Sequence, residues 1–473
     1  MAESETNRFF RKLFGFSLGP IINAGLGFIS VPITTWFIVP EELGRASMFT
    51  TAHSLIGMFV YLGLDSAYQR HYHEVDDHGQ LLFQALWPPT VLVAAISTVL
   101  LAFYPFVAHA LYGITDFLPV LLLAVYLIVH IGMHYSQYIL LMRQKSKAYS
   151  AGQVLEKVSR VSMLVAFMLL FERTFRSVIL ASITAQIITS TYFFLVSRSH
   201  WRLHFRFDWR LQRDMFRFGL PLVPAAALSW IFNSIDKIAI RTWSDFDQIG
   251  IYAGAFKLVA ALAIVRKSFG SFWPPLALRW HSNEAPNHHY QRVTDTLMSV
   301  MATMYVFIVL VRNVVYVILS PAYASSAGIV PFLLFIPLMA TVSETTVLGI
   351  TFSKKTHLHI VVTAVAAVIN VVGNALLVPT YGAIGAAIST GISFNVFFWM
   401  RTWLSARQWP VLSFQLHVLN SVLMAAMASA TLISHPSGRA IEAVLAIVTL
   451  GLNAPNLWRL SLRLYRTIRK RDT

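Results

Sequence analysis

The sequence has no cysteine and few charged residues. The absence of cysteine among its 473 residues excludes disulfides, thiol catalysis and thiolate metal sites. Charged residues make up 12% of the chain and hydrophobic residues 56%, whereas soluble domains average about 25% charged and roughly 45–50% apolar residues. This balance excludes an ordinary soluble protein and predicts an all-α, polytopic membrane protein.

Apolar segments that are long enough to cross a bilayer recur along the whole sequence. A helix needs about 20 mainly apolar residues to cross the ~30 Å hydrocarbon core. On this criterion the sequence predicts about fourteen crossings, with short loops and no separate soluble domain. The predicted spans are 13–37, 45–64, 81–104, 117–140, 150–171, 176–196, 216–242, 249–275, 293–318, 327–350, 358–378, 381–404, 412–434 and 440–458.

Lysine and arginine lie mostly on one side of these spans. The loops and termini on that side carry 25 of them, and the loops on the other side carry 5. Because basic loops stay in the cytoplasm, both termini are predicted to be cytoplasmic. The net charge of +16 is thus mostly an orientation signal, and no nucleic-acid partner is indicated.

A basic segment, residues 198–215, separates the sixth and seventh predicted spans. Its arginines follow helical spacing, which would suit a cytoplasmic surface helix touching anionic membrane lipids. The orientation signal alone explains the charge about as well. The arginines in this row are Arg198, Arg202, Arg206, Arg210, Arg213 and Arg217.

The two halves of the chain resemble each other. The segments Phe14–Phe49 and Phe218–Phe256 both open on Phe-Gly, carry early prolines and restart at a glycine. Gly44 then matches Gly250 at an offset of 206. Because both copies begin on the cytoplasmic side, the repeat is parallel, with its pseudo-axis along the membrane normal. We predict two pseudo-symmetric six-helix lobes around a central cavity, at 1–197 and 216–404, the linker 198–215, and a final helix pair with a basic tail at 405–473.

Several stretches resemble a known transporter family. They are YLGLDSAYQR from Tyr61, FGLPLVPAAALSWIFNSIDKIAI followed by GIYAGAFKLV, and VPTYGAIGAAISTGISF from Val378. Together they resemble the polysaccharide-transporter branch of the multidrug/oligosaccharidyl-lipid/polysaccharide exporter superfamily. The resemblance implies an antiporter-like flippase of the bacterial inner membrane that moves an undecaprenyl-diphosphate-linked oligosaccharide to the periplasmic leaflet by alternating access. It also implies lipid-linked glycan as partner, alongside membrane lipids and other polysaccharide-assembly proteins, and no cofactor beyond a coupling ion.

Seven basic residues fall inside the predicted spans at five or more residues from either end. Each charge at mid-bilayer costs about 2.5–3.5 kcal/mol, so they must pair, reach the headgroups or line a wet cavity. Arg160 is expected to pair with Glu156, and Arg266 and Lys267 to lie near a span end. We expect a subset to neutralise the diphosphate of the substrate, because lysine and arginine both bind phosphate. The substrate-binding candidates are Lys157, Arg160, Lys257, Arg266, Lys267 and Arg312; the seventh base is Lys237.

A second group of polar residues suggests ion coupling. At helical rise, Asp236, Asn370, Asn374 and Thr390 all fall in the outer half of the membrane. Their oxygens could hold Na⁺, or Asp236 could carry a proton. The superfamily resemblance implies a sodium site here, but Asn374 stands where a second acid is expected. Pairing of Asp236 with Lys257 is the structural alternative.

Glu344 is a second intramembrane acid, in the segment SETTVLG. It either pairs with Arg266 or Lys267 or carries a transported proton.

Two other functions stay open. A cation-coupled multidrug exporter of the same superfamily would need acid-rich cavities, whereas the unassigned charges here are mainly basic. A membrane-embedded polysaccharide polymerase or ligase would need catalytic groups on a large external loop. Because the predicted loops are short, no enzyme activity is expected.

Overall fold

The computed structural model describes residues 25–260, 262–284, 286–433 and 435–469. Within these ranges the regular secondary structure is helical, without strands. The chain divides into two units, the first comprising residues up to Lys237 together with Asp245–Ala253, and the second comprising the remainder. The first half of the first predicted span lies outside the described residues.

The first unit contains nine helices and most of a tenth. They are α1 (Gly25–Phe37), α2 (Pro40–Val60), α3 (Leu64–His71), α4 (His78–Ala102), α5 (Tyr104–Tyr112), α6 (Phe117–Met142), α7 (Ser146–Leu170), α8 (Phe175–Ser197), α9 (Trp209–Gly219) and most of α10 (Val223–Trp243).

The second unit begins with the end of α10 and continues to the C-terminus, except that the start of α11 belongs to the first unit. Its helices are α11 (Phe246–Ala260), α12 (Ala263–Ser282), α13 (Asn287–Leu310), α14 (Val315–Ile318), α15 (Ser326–Leu333), α16 (Phe335–Thr346), α17 (Leu348–Phe352), α18 (His357–Gln408), α19 (Gln415–Ala430) and α20 (Pro436–Arg469).

Each predicted span overlaps one of these helices. In the described part of the chain, nine helices are long and apolar enough to cross a membrane, or ten if the bent pair α2 and α3 forms one span. Three helices account for most of the difference from the fourteen predicted spans. Helix α7 has 25 residues but carries four charges, and α19 has only 16 residues. Helix α18 is counted once, although it covers two predicted spans. The all-α, multi-pass architecture is confirmed, and fourteen crossings stay a prediction.

The long helix α18 is a pair of helices joined by a tight turn. Gly382 interrupts it with φ 55° and ψ −130°, a conformation that a residue with a side chain rarely adopts. The chain then folds back, since Ser389 Oγ donates to the Asn370 carbonyl at 2.9 Å. A Cβ on Gly385 would overlap the Leu377 carbonyl. The glycines after Pro379 therefore allow close packing of the eleventh and twelfth predicted spans.

Helix α6 occupies the centre of the first unit. It contacts α2, α3, α4, α5, α7 and α8. Its residues Val120, Leu123 and Tyr135 are fully buried, and the Tyr135 hydroxyl donates to the Ala85 carbonyl of α4 at 2.6 Å. This bond satisfies a hydroxyl that would be costly to bury alone. Polar residues on the other faces of α6 are therefore carried into the interior of the unit.

The segment between α2 and α3 is bent. The two helices meet at 51°, across Leu62 and Gly63 with φ values of 51° and 70°. The backbone of Gly63 lies against that of Gly219 at the end of α9, so that a Cβ on Gly63 would overlap the Gly219 carbonyl. The bend thus depends on glycine for both its conformation and its packing.

The two glycines matched by the internal repeat lie at one helix crossing in the first unit. The offset of 206 between Gly44 and Gly250 also relates Pro40 to Phe246. A Cβ on Gly44 would overlap the Phe246 carbonyl, and a Cβ on Gly250 would overlap the Pro40 carbonyl. The contact between α2 and the start of α11 is therefore symmetric under the repeat, as a pseudo-two-fold axis requires.

The basic linker differs from the surface helix suggested by its arginine spacing. Residues 201–208 are non-helical, and α9 begins only at Trp209. The non-helical part lies along α4, where Gln84 Nε2 donates to the Asp208 carbonyl at 2.9 Å. Side chains of α4 thus supply hydrogen bonds that a helix would have made within its own backbone. The second half of the arginine row lies on α9, whereas Arg202 and Arg206 are non-helical and Arg198 begins a single 3-10 turn.

Candidate functional site

An acid–base cluster lies on α7 in the first unit. Arg160 Nη2 is 2.6 Å from Glu156 Oε1, so the helical ion pair expected from their spacing is present. The Arg160 guanidinium also lies beside Tyr126 of α6. Lys157 directly follows Glu156 in the sequence, and its side chain is only partly exposed. The cluster therefore has one carboxylate for two bases, which leaves one positive charge.

Four side chains form a stripe along α6, which we call the α6 stripe. Tyr126, His130, His134 and Tyr138 are spaced four residues apart and so share one face of the helix. Ring centroids are 5.8 Å apart for the first pair, 5.9 Å for the second and 4.8 Å for the third. The sequence interpretation missed this stripe. A polar residue at every fourth position of an apolar span was the signal that could have revealed it.

Asp65 provides the α6 stripe with an acid. Its Oδ2 accepts a hydrogen bond from the Tyr138 hydroxyl at 3.2 Å and lies 3.4 Å from His134 Nε2. Its Oδ1 accepts from the Ser66 backbone N–H at 2.8 Å. Asp65 lies in the first turn of α3, where the positive end of the helix dipole favours a carboxylate. The bend between α2 and α3 thus delivers an acid to α6.

A cavity of about 200 Å³ borders the α6 stripe within the first unit. Its polar lining residues are His53, Ser54, Tyr61 and His130, and the other lining residues are apolar. The ring centroids of His53 and His130 are 6.2 Å apart, and Tyr61 stacks on His134 at 4.0 Å. Since one water occupies about 30 Å³ in the liquid, the cavity has room for several.

Asp236, the acid in the segment SWIFNSIDKIAIRTW, is buried on α10 and 3% exposed. Its Oδ2 accepts a hydrogen bond from the hydroxyl of Tyr252 on α11 at 2.6 Å. A short bond to a charged acceptor offsets part of the cost of burying the carboxylate. The sequence interpretation did not identify this tyrosine. The role of Asp236 in ion coupling stays a prediction.

A second acid–base cluster lies in the second unit around Glu344. Glu344 Oε1 is 3.5 Å from Arg266 Nη2 and 3.7 Å from Arg401 Nη1, and Arg401 also donates to Ser343 Oγ at 3.0 Å. The expected partner of Glu344 is thus present in Arg266. Arg401 was missed, because its position near the end of the twelfth predicted span placed it among loop residues. Here too one carboxylate faces two bases.

Arg312 forms a bidentate ion pair with Glu442 of α20. The Arg312 Nη2 to Glu442 Oε1 distance is 2.8 Å, and the side chains are only 16% and 6% exposed. A buried, two-point pair of this kind neutralises both charges. The other predicted bases of this unit differ in exposure, since Lys257 is half-buried and Lys267 is exposed.

Asn370, Asn374 and Thr390 come together in the second unit. Asn370 Nδ2 donates to Thr390 Oγ1 at 3.2 Å, and Asn374 Nδ2 donates to Asn370 Oδ1 at 3.2 Å. Two of the oxygens that Na⁺ would need are therefore already acceptors of amide hydrogen bonds. The fourth predicted member, Asp236, belongs to the first unit. Among the described residues, no group of three or more His, Asp or Glu side chains is arranged to hold a metal.

Long apolar helices that carry buried charges and hydrogen-bonded polar clusters define a multi-pass membrane protein. The structure is similar to that of the lipid II flippase MurJ in an inward closed conformation, with a TM-score of 0.72 and 14% identity over 94% of this chain and 99% of that chain. It is also similar to a multidrug resistance MATE family transporter of the MOP superfamily. The inward-facing form gives a TM-score of 0.53, 16% identity and coverage of 82% and 95%, and the outward-facing form gives 0.51, 14%, 85% and 96%.

The family of polysaccharide biosynthesis proteins matches residues 9–280, more than half of the sequence. The chain belongs to this family. A comparison with curated proteins gives no significant match. The resemblance to a polysaccharide family inferred from the sequence motifs is therefore confirmed by the family match, and at 14–16% identity the solved structures establish the fold alone.

Proposed function

We propose that the protein moves an undecaprenyl-diphosphate-linked oligosaccharide from the cytoplasmic to the periplasmic leaflet of a bacterial inner membrane, by alternating access. One observation carries this proposal: a member of the polysaccharide biosynthesis family has, over 94% of its length, the fold of a lipid flippase. The glycan, the direction of movement and the cytoplasmic location of the termini belong to the proposal. Other polysaccharide-assembly proteins are its expected neighbours.

The acid–base clusters on α7 and around Glu344 supply the substrate contacts in this proposal. Each has one carboxylate for two bases, so each keeps a positive charge available for a diphosphate. The ion pairs of Glu344 are long, at 3.5 and 3.7 Å, and the Arg266 side chain is 47% exposed. Arg266 can therefore exchange the carboxylate for phosphate oxygens at little cost, and Arg401 contacts the same carboxylate from a more buried position. Lys157, Lys257 and Lys267 remain candidates, and Arg312 is the weakest because Glu442 neutralises it.

The test uses vesicles that contain only the purified protein and a fluorescent undecaprenyl diphosphate carrying one N-acetylglucosamine. Loss of one charge-assisted hydrogen bond costs about 1.5–3 kcal/mol, so Arg266→Gln and Arg401→Gln should each slow flipping about tenfold or more. Arg407→Gln is the matched control, because Arg407 is on the same helix as Arg401 but stacks on Trp403 at 3.7 Å. Unchanged rates in both cluster variants would contradict this assignment.

Cation-coupled multidrug export is the second candidate, because the MATE transporters share the fold. The same vesicles can be loaded to measure ethidium movement. Ethidium transport without movement of the lipid diphosphate would favour the exporter. Polymerase or ligase activity would instead appear as a change in glycan length, which a flippase does not produce. Coupling to Na⁺ or H⁺ through Asp236, Asn370, Asn374, Thr390 or Glu344 is part of the proposal and is tested by imposing each gradient in turn.

A further inference from the structure

We propose that Asp65, His134, His130 and His53 form a proton-binding chain that couples transport to a proton gradient. The inference rests on the proposed transport function and names a coupling ion for it. Its residues differ from those of the predicted ion site, because the chain lies on α2, α3 and α6, whereas the predicted ion site draws on α10 and α18. Proton binding by this chain can also be measured without any transport.

The position of the histidines within the span is the first argument. His130 is almost equidistant from the two ends of α6, Phe117 and Met142, so at the rise of an α-helix it is about 18–20 Å from each. Ionisable side chains at such depth are costly and rare, and they mark proton relays and ion pathways in transporters. The three histidines and the aspartate of this chain lie on α2, α3 and α6, and they are more than helix packing requires.

Continuity between the groups is the second argument. From Asp65 the chain runs to His134, whose ring centroid is 5.9 Å from that of His130, which in turn is 6.2 Å from that of His53. The cavity beside His53, Ser54 and His130 has room for bridging water. Uptake adds a proton from water to an imidazole nitrogen or to the carboxylate, and release returns it to water, so no other reactant is needed.

The charges around the chain differ between its two ends. Arg160 of α7, itself paired with Glu156, and Lys237 of α10 act on His53 electrostatically. Asp65 lies at the other end, beside His134. The groups between are neutral: the Tyr126 and Tyr138 hydroxyls and Gln186 of α8, whose Nε2 is 3.1 Å from His130 Nδ1. The positive charges therefore lie at the His53 end of the chain, and the carboxylate lies at the other end.

The bend between α2 and α3 links this charge to helix geometry. Asp65 follows Leu62 and Gly63, where the backbone turns by 51°, and His134 lies on α6. A proton on His134 converts the contact into an ion pair between α3 and α6, whereas its loss leaves a carboxylate beside a neutral ring. Protonation therefore changes the force across the bend, which is how binding of a proton biases one conformation.

The transport test compares flipping of the fluorescent lipid diphosphate with and without a pH gradient, at zero membrane potential. One pH unit is about 1.36 kcal/mol per proton, so the wild-type rate should change up to about tenfold per unit. In Asp65→Asn and in His134→Gln the ratio of the two rates should fall to one. His417→Gln is the matched control, because His417 is a fully buried histidine of the second unit. A wild-type-like ratio in either chain variant overturns the proposal.

Proton binding is measured separately on the protein in detergent, in unbuffered solution with a pH-sensitive dye. Asp65→Asn removes no histidine, yet it should reduce proton uptake between about pH 8 and pH 5, because His134 loses its acid partner. Asp116→Asn is the control, since Asp116 pairs with Arg176 at 2.6 Å. Asp65→Glu should restore uptake. Equal uptake in wild type and Asp65→Asn overturns the chain, whereas reduced uptake in a protein that flips no lipid refutes only the transport function.

Discussion

The interiors of the two units use polar residues differently. In the first unit, the α6 stripe and Asp65 place titratable rings and a carboxylate along one path beside a cavity. In the second unit, several buried polar groups form closed pairs, such as Thr346 with Thr402 at 2.7 Å and Asn420 with Asn453. Closed pairs fix helices against each other, whereas an open series of titratable groups can bind and pass a proton.

This difference suggests a division of labour. The exposed, loosely held guanidinium of Arg266 makes the second unit the better candidate for anion contact, and the histidines make the first unit the better candidate for coupling. Three of the six predicted substrate-binding bases have carboxylate partners within their own unit: Arg160, Arg266 and Arg312. A base inside a span is therefore a weaker indication of substrate binding than it is of pairing.

The largest expected effect tests whether the second unit's ion pairs are structural. Glu442→Gln leaves the Arg312 guanidinium buried without its carboxylate, which should destabilise the fold by about 3–5 kcal/mol. Thermal unfolding of the purified protein in detergent measures this. Arg312→Met combined with Glu442→Leu should recover most of the lost stability, because it removes both charges together.

Glu156→Gln is the comparison in the first unit. Its pair with Arg160 is more exposed, at 26% and 34%, and so should contribute less, about 1 kcal/mol or below. If Glu442→Gln lost no more stability than Glu156→Gln, the ion pair of the second unit would not be more important for stability than that of the first.

The second prediction concerns the crossing between α2 and α11, where the two matched glycines meet. Gly44→Ala and Gly250→Ala each force a methyl group into a backbone carbonyl, so each should destabilise the protein by about 1–3 kcal/mol. Because the contact is symmetric, the two losses should be similar and the double substitution less than additive. Gly451→Ala is the control, since the added carbon has no neighbour within 4 Å beyond its own stretch of helix. A large loss at one glycine and none at the other would break the symmetry.

The sequence predicted the architecture well, because hydrocarbon imposes strong rules on helix length and apolarity. It also predicted the local pairing of Glu156 with Arg160, since both residues lie on one helix. It could not predict that Glu442 reaches Arg312 or that Asp65 reaches His134, because these contacts join distant parts of the chain. The helical spacing of the linker arginines suggested one surface helix. This was wrong for residues 201–208, because side chains of α4 hold them in a non-helical conformation.

The third prediction tests the closed polar pairs of the second unit by another route. Asn420 and Asn453 exchange amide hydrogen bonds between α19 and α20 at 3.2 and 2.7 Å. In membranes such interhelical bonds contribute about 0.6–2 kcal/mol. Asn420→Leu should therefore lower the thermal stability by this amount, and Asn453→Leu should add little to it in the double variant. Additive losses would show that the two amides act independently.

The smallest expected effect concerns a titratable contact of the first unit in a segment between apolar helices. It tests whether this contact makes the stability of the protein depend on pH. Asp77 caps α4, accepting from the backbone N–H groups of Gly79 and Gln80 at 3.0 Å, and it lies 2.8 Å from His204 Nδ1 in the linker. The hydrogen bond from His204, followed by those from the backbone, lowers the pKa of Asp77 below its ordinary value. Since the folded-state pKa is the lower one, the stabilisation is complete above the ordinary aspartate pKa of about 3.9 and is lost as pH falls through the folded-state value.

Asp77→Asn separates the charge from the cap, because asparagine caps helices about as well as aspartate. At neutral pH it should cost a few tenths of a kcal/mol, as expected for an exposed polar interaction, whereas Asp77→Ala should cost about 1 kcal/mol. Thermal unfolding measured from neutral pH down to about pH 3 should show a steeper acid loss in wild type than in either variant. Asp208→Asn, at a second helix cap, serves as control. Parallel acid curves for wild type and Asp77→Asn would show that the link between α4 and His204 contributes no pH dependence to stability.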